Sequence, residues 1–183
     1  MIIISLGANI TSRWGDAAST IREALRQLNS AGIIVTCRSA LYVTTPLGVT
    51  DQPNFVNAAA AVTAAISPNA LLSLLKKLEA KAGRKPSRRW GPRALDLDII
   101  DYKRRIINWP KDEVFSPKNK PELILPHPQA HRRAFVLKPL SEVAPHWHHP
   151  VYGQPTAYFL TRLRFTKEGR VLKFVNEPKQ FDE

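Results

Sequence analysis

Two stretches with the 3.6-residue apolar period of a helix each lie between runs with the character of strands, which limits the chain to a layered fold of helices on a sheet. The first helix is predicted over Gly15 to Asn29. Ile21, Leu25 and Leu28 recur on one face there, Arg22, Glu23, Arg26 and Gln27 face elsewhere, and Gly32 stops it. The second opens at Ser67-Pro68, with serine as the cap and proline at the first helical position. It carries Leu71, Leu74, Leu75 and Leu78, continues to about Lys81 and ends at Gly83. Ahead of the first helix, Ile2 to Leu6 is short and uniformly apolar, as a buried central strand would be, and Gly7-Ala8-Asn9 breaks it. Two alternating runs separate the helices. Ile33, Val35, Cys37 and Leu41 are predicted to share one strand face, and Val56, Ala58, Ala60, Val62, Ala64 and Ile66 another, with the turn-rich TTPLGVTDQPN between them. After the second helix, LDLDII reads as a further strand.

Strand, helix, strand, strand, helix, strand is the split βαβ order, so an α+β fold with helices on one face of a sheet is expected. Beyond it, Lys103 to Leu123 reads as a loop with a short strand at Arg105 to Ile107. Phe135 to Leu140 reads as a short helix, and TRLRF and RVLKFV as a hairpin joined through Lys167-Glu168-Gly169. No repeat or sharp change of composition divides the 183 residues, so one domain over 1–183 is expected, with an extended basic tail from about 151. The 15 prolines favour rigid turns over elastic linkers. One cysteine, Cys37, excludes an internal disulfide and a cysteine-rich zinc site, which suits a reducing compartment. The opening MIIISLGAN has no basic stretch before its apolar run, and the run is too short for a signal peptide or a membrane span. A soluble, cytoplasmic protein is the expectation.

A formal net charge of +12 implies an anionic partner, be it nucleotide, nucleic acid or acidic membrane. Its distribution narrows the choice. No acid lies between Glu79 and Asp96, while Lys81, Arg84, Lys85, Arg88, Arg89 and Arg93 are basic; a second basic region runs through Arg162, Arg164, Lys167, Arg170, Lys173 and Lys179.

The most informative segment is RWGPRALDLDII, Arg89 to Ile100. On a strand, Asp96 and Asp98 point the same way and Leu97 and Ile99 point into the core. Two carboxylates on neighbouring same-face positions repel unless a cation neutralises them. Hard oxygen donors in a tight pair suit magnesium carrying substrate phosphates better than zinc, and the fork of Arg93 would reach the same phosphates. An isolated Asp-x-Asp more often meets only water on an exposed edge; here the Trp-Gly-Pro-Arg turn and the basic loop beside it reverse the odds. Arg84 to Arg93 reads equally well as a solvated turn, a nucleic-acid patch around Trp90, or a lid over a triphosphate flexing at Gly83, Gly91 and Pro92. In LPHPQAHRRAF, His127, Arg132 and Arg133 are candidate phosphate ligands and Phe135 a candidate aromatic wall. The histidines of HWHHP, His146 to Pro150, are assigned to the surface, not to a metal. There is no Walker loop, protein-kinase signature or Gly-x-Gly-x-x-Gly, and no serine, histidine and acid arrangement for nucleophilic catalysis.

Taken together the segments resemble the 6-hydroxymethyl-7,8-dihydropterin pyrophosphokinase family. The matching pieces are SLGAN, then Tyr42, Thr44, Pro46, Leu47, Gly48, Gln52, Phe55 and Asn57, then Glu79, Gly83-Arg84, RWGPRALDLDII, LPHP and Arg133 to Leu137, in order from roughly Ile2 to Pro145. The resemblance implies a ferredoxin-like α+β fold, an antiparallel sheet with flanking helices. It also implies transfer of pyrophosphate from ATP to the pterin hydroxymethyl group, releasing AMP, on the way to tetrahydrofolate. By the family pattern Asp96 and Asp98 hold two Mg²⁺ ions, Arg84 and Arg93 stabilise phosphate charge, Trp90 comes in with the lid, and His127 and Arg133 contact ATP phosphates. Glu79 and the strand around Ile99 lie near the adenosine. The pterin sits between Phe55 and Phe135, with Asn57 and the backbone of Thr44, Pro46 and Leu47 reading its polar edge. The implied partners are small molecules, with no nucleic acid, no membrane and a monomer favoured. A general base is not evident.

Four departures stand out. The basic loop is slightly short, Lys103 to Leu123 is long, Glu122 falls where an ATP-contacting arginine is expected, and the tail past Val151 has no family assignment. The competing reading, a basic ferredoxin-like RNA-binding module, requires aromatic residues in a ribonucleoprotein-type motif on the strands and leaves Asp96 and Asp98 unexplained. A degenerate, non-catalytic family member is disfavoured by the intact dyad and Arg93.

Overall fold

The computed structural model describes residues 1–85, 90–110, 123–163 and 171–175. Six strands and four α-helices follow in the order β1 (Ile2–Ala8), α1 (Ala17–Ser30), β2 (Ile34–Arg38), β3 (Leu41–Thr44), β4 (Phe55–Thr63), α2 (Pro68–Ala82), β5 (Asp96–Tyr102), α3 (Ala134–Val143), α4 (Thr156–Arg162) and β6 (Val171–Val175). The helix signals lie where the residue pattern puts them. Asp16 accepts a hydrogen bond from the Ser19 amide at 2.7 Å and opens α1, and Ser67 does the same for Ala70 at 3.2 Å before Pro68. Gly83 ends α2 at φ 98°, a left-handed conformation that any Cβ would strain.

All strand pairings are antiparallel, in the order β5-β1-β4-β3-β6, with β2 beside β3 on the same edge of β4. On one face Ile2, Ile4, Leu6, Ala58, Ala60, Val62, Leu97 and Ile99 pack with Ile21, Leu25 and Leu28 of α1 and Leu71, Leu75 and Leu78 of α2. Helices are not confined to that face. Ile3, Ala59, Ala61 and Ile100 point the other way and pack with Val136, Leu140 and Val143 of α3 and with Trp147. The physical reason is visible in Ala58 to Ala61: a strand apolar at every position has two faces to bury, and small side chains let a helix approach on each.

Other expectations need correction. Cys37 is exposed while Val35 and Leu41 are buried, because a bulge in the β2–β4 register between Val35 and Cys37 inverts the alternation and Ser39-Ala40 separates β2 from β3. At Arg105 to Ile107 there is one bridge, Ile107 to Leu125, and no strand. Of the tail hairpin, RVLKFV does form a strand, β6, but it pairs with β3, Thr161 and Arg162 belong to α4, and 164–170 lie outside the described residues. His146 and His148 are exposed, as expected, but Trp147 and His149 are buried. Trp147 is buried with its indole N–H on Asp101 at 2.8 Å. His149 is fully buried against Tyr152 and Trp109, at ring centroid distances of 4.6 and 5.5 Å. Burial, helped by the nearby His131, pushes the His149 imidazole down to about 4, so it is neutral. Glu122 lies outside the described residues. No helix among them is long and apolar enough to cross a membrane.

Candidate functional site

α1 and α2 cover their face of the sheet, whereas α3 covers only part of the other. The uncovered part is a cleft of about 450 Å³, floored by Ser5, Gly7, Asn57, Asp96 and Asp98 and walled by α3 and two loops. Register explains the floor. Gly7 lies opposite Asn57 on β4 and Asp96 on β5, and Ser5 lies opposite Asp98. At Gly7 a Cβ would come within 3.0 Å of the Asn57 amide oxygen, so a larger residue there would push Asn57 from its position. Asn57 in turn donates to the Thr44 hydroxyl at 2.8 Å.

At one end of the cleft Asp96 Oδ1 accepts from Arg84 and Arg93, at 2.7 and 2.8 Å. Glu79, buried behind them, accepts from the Leu97 amide at 2.8 Å, from Lys76 at 3.1 Å and from Arg84 at 2.5 Å. Burial pushes the Glu79 carboxyl up, against the pull of Lys76, the Leu97 amide and Arg84. For Asp98 burial acts in the same upward sense, but His127, Lys76, Arg133 and Arg93 outweigh it and hold this carboxyl below its ordinary value. The His127 Nε2 is 4.0 Å from Asp98, and its Nδ1 accepts from the Gln129 amide at 3.1 Å, so in the neutral ring the proton sits on Nε2, towards Asp98.

Two loops meet over the cleft. Trp90 leans on Gly48, where an added Cβ would come within 2.7 Å of the indole, and the Gln52 amide donates to the Trp90 carbonyl at 2.8 Å. Asn9 ties both loops to the end of β1. Its side chain donates to Gln52 and to the Pro53 carbonyl, each at 3.0 Å, and accepts from the Arg93 amide at 2.7 Å.

Of the residues singled out in the sequence, Thr44, Leu47, Phe55, Asn57, Arg84, Trp90, Arg93, Asp96, Asp98, His127, Arg133 and Phe135 all line this one cleft. Pro46, Glu79, Ile99 and Arg132 are not on its wall, Arg132 donating instead to His131 Nε2 at 3.1 Å. Glu79 faces the seam between α2 and β5, and Ile99 faces the helix-covered core, as alternation from Asp98 requires. Lys76 and Gln129 line the cleft and were not singled out, although Lys76 sits one helical turn before Glu79 and was findable from that spacing. Among the described residues no group of three or more His, Cys, Asp or Glu is placed to hold a metal ion.

Residues 3–145 match the family model described as 7,8-dihydro-6-hydroxymethylpterin-pyrophosphokinase (HPPK). The chain belongs to this family. Among relatives of the HPPK match, a 2-amino-4-hydroxy-6-hydroxymethyldihydropteridine pyrophosphokinase of Methylorubrum extorquens is 41% identical over 143 residues, covering 78% of this chain and 81% of that one. The protein of the same description from Bacillus subtilis is 38% identical over 141 residues, 76% of this chain and 75% of that one. A mitochondrial folate synthesis bifunctional protein of Arabidopsis thaliana is 41% identical over 156 residues, 80% of this chain but 26% of that one. The chain thus spans about a quarter of the length of that two-function relative. A crystal structure of an HPPK-DHPS protein in complex with substrates superimposes with a TM-score of 0.60 over 88% of this chain and 43% of that one; at 13% identity this likeness concerns the fold alone.

Proposed function

We propose that this HPPK-family chain transfers pyrophosphate from ATP to the hydroxymethyl oxygen of 6-hydroxymethyl-7,8-dihydropterin in folate synthesis. The observation that carries the reading is the placement of Asp96 and Asp98 side by side on the cleft floor, facing Arg84, Arg93, His127 and Arg133. The hydroxyl oxygen forms a bond to the β-phosphorus as the bond from that phosphorus to the α,β-bridging oxygen breaks. The bridging oxygen leaves on AMP, and the hydroxyl proton is lost to solvent. Such a transfer needs positioned charge more than covalent help. Arg84 and Arg93 would turn from Asp96 to the phosphates, with Arg133 and the Nε2–H of His127 opposite them.

Two neighbouring carboxylates fit magnesium, which keeps waters and takes phosphate oxygens for the rest of its shell. Asp96 and Asp98 would hold the ions, two by our reading, which when bound neutralise phosphate charge and acidify the hydroxyl. Phe55 and Phe135 supply aromatic faces for the flat pterin, Asn57 and the backbone of Thr44 to Leu47 its hydrogen-bonding edge, and Trp90 the cover. Glu79 acts through Arg84 and β5 in this scheme, and Ile99 through its main chain near the adenosine.

Further parts of the reading are a ferredoxin-like fold, in which β2 and β3 share one strand's place beside β4, one domain, a monomer, a cytoplasmic setting and no nucleic-acid partner. The test is AMP formation from ATP and Mg²⁺ with and without the pterin. Pterin-dependent AMP is expected; AMP formed equally without it, or none at all, overturns the reading.

A further inference from the structure

We infer that Gln129 is a positioning residue that aims the cationic wall of the cleft, a role that rests on the nucleotide reading above. His127, Gln129 and Arg133 come from one short segment that includes the tight turn Ala130–Arg132. Gln129 holds both of the others. Its amide N–H donates to His127 Nδ1 at 3.1 Å, which turns the Nε2–H towards Asp98, and its side-chain oxygen accepts from Arg133 Nη2. The Arg133 guanidinium carbon is also 5.7 Å from the centre of the Phe135 ring, so the amide and the ring restrain it from two sides.

The chemistry of the acceptor matters. On the opposite wall Arg84 and Arg93 both donate to Asp96, whose charge offsets theirs. The Gln129 amide fixes the direction of Arg133 without adding a counter-charge to the one Asp98 already supplies. A free arginine loses roughly 2 kcal/mol of rotamer entropy when it is immobilised, and a neutral restraint met before binding removes part of that loss. The ligand that profits is a polyphosphate carrying β- and γ-phosphates, not a nucleoside monophosphate.

The experiment measures dissociation constants for two probes, the magnesium complex of α,β-methylene-ATP and AMP, in the wild type, Gln129→Ala, Gln129→Glu, Arg133→Ala and the Gln129→Ala/Arg133→Ala double variant. Gln129→Ala, losing one hydrogen bond to a charged group, is expected to weaken the triphosphate about tenfold. Gln129→Glu keeps the shape, should fold if the alanine variant does not, and places a counter-charge on Arg133, for a loss of about tenfold or more. AMP affinity stays unchanged, and Gln129→Ala costs nothing further in the Arg133→Ala background. Additive losses, or equal losses for AMP, overturn the inference. Should the wild type bind neither probe, the pyrophosphokinase reading falls; guanidinium rotation of Arg133 by NMR then decides the restraint by itself. Faster rotation in Gln129→Ala supports it, and an unchanged rate overturns it.

Discussion

The two faces of the central strands solve opposite problems. On the α1/α2 side Ile4, Leu6, Leu97 and Ile99 are sealed under two helices, and nothing polar is needed. On the other side the same strands present Ser5, Gly7, Asp96 and Asp98, and α3 stops short of them. Asp96 and Asp98 alternate with Leu97 and Ile99 along one short strand. Along β5, burial under α1 and α2 and exposure to the cleft are thus separated by a single strand position. Substitutions on β5 should separate in the same way.

The largest effect expected is in turnover. Asp96→Ala or Asp98→Ala should lower pterin-dependent AMP formation by at least about 10⁴-fold, roughly 5 kcal/mol, while the melting temperature changes little. Near-normal activity of both variants in magnesium would break the comparison. Leu97→Ala, one residue away and fully buried, should do the reverse. It should cost roughly 4 kcal/mol in denaturant unfolding while the folded fraction keeps its turnover.

A third prediction concerns the covered part of the α3 face, where His149 is buried and neutral. Its imidazole titrates near 4 when folded and near 6.5 as a free side chain, so the unfolded chain binds the proton first as pH falls. The stabilisation is complete above pH 6.5 and is lost towards pH 4, by up to roughly 3 kcal/mol. Unfolding curves of wild type and His149→Phe between pH 7.5 and 4 check it: the wild type should lose more stability on acidification, and parallel losses would count against it. The smallest effect sharpens the role of the loops. Trp90→Ala, or Gly48→Ala, which drives a methyl into the indole, should slow turnover about tenfold, roughly 1.4 kcal/mol, with a smaller loss in ATP affinity. Equal losses in both would show that the contact only helps binding.

How much of this was legible varies with the range of the interaction. Strand β5, the start and end of α2, and the common facing of Asp96 and Asp98 follow from period, caps and one glycine within a dozen residues. The dyad's neighbours were found because the family pattern names them, and ten of them do meet the dyad in one cleft. Glu79 does not line that cleft and holds Arg84 and the Leu97 amide from behind, because the packing of α2 on β5 decides which turn of the helix reaches the cleft. The burial of His149 was missed for a related reason: the aromatic rings that enclose it come from Trp109, His131 and Phe159, far apart in the chain.

By itself the sequence determined the order of the elements up to β5, with β2 and β3 as one strand, and the pairing of two carboxylates on one side of β5. These depend on backbone periods and steric limits that act between near neighbours. Only the tertiary structure decided that α3 leaves part of a face open, that β6 closes the edge of β3, and that Gln129 stands at the cleft. Those outcomes depend on which distant surfaces are buried together, and burial is a property of the assembled layers that no local pattern contains.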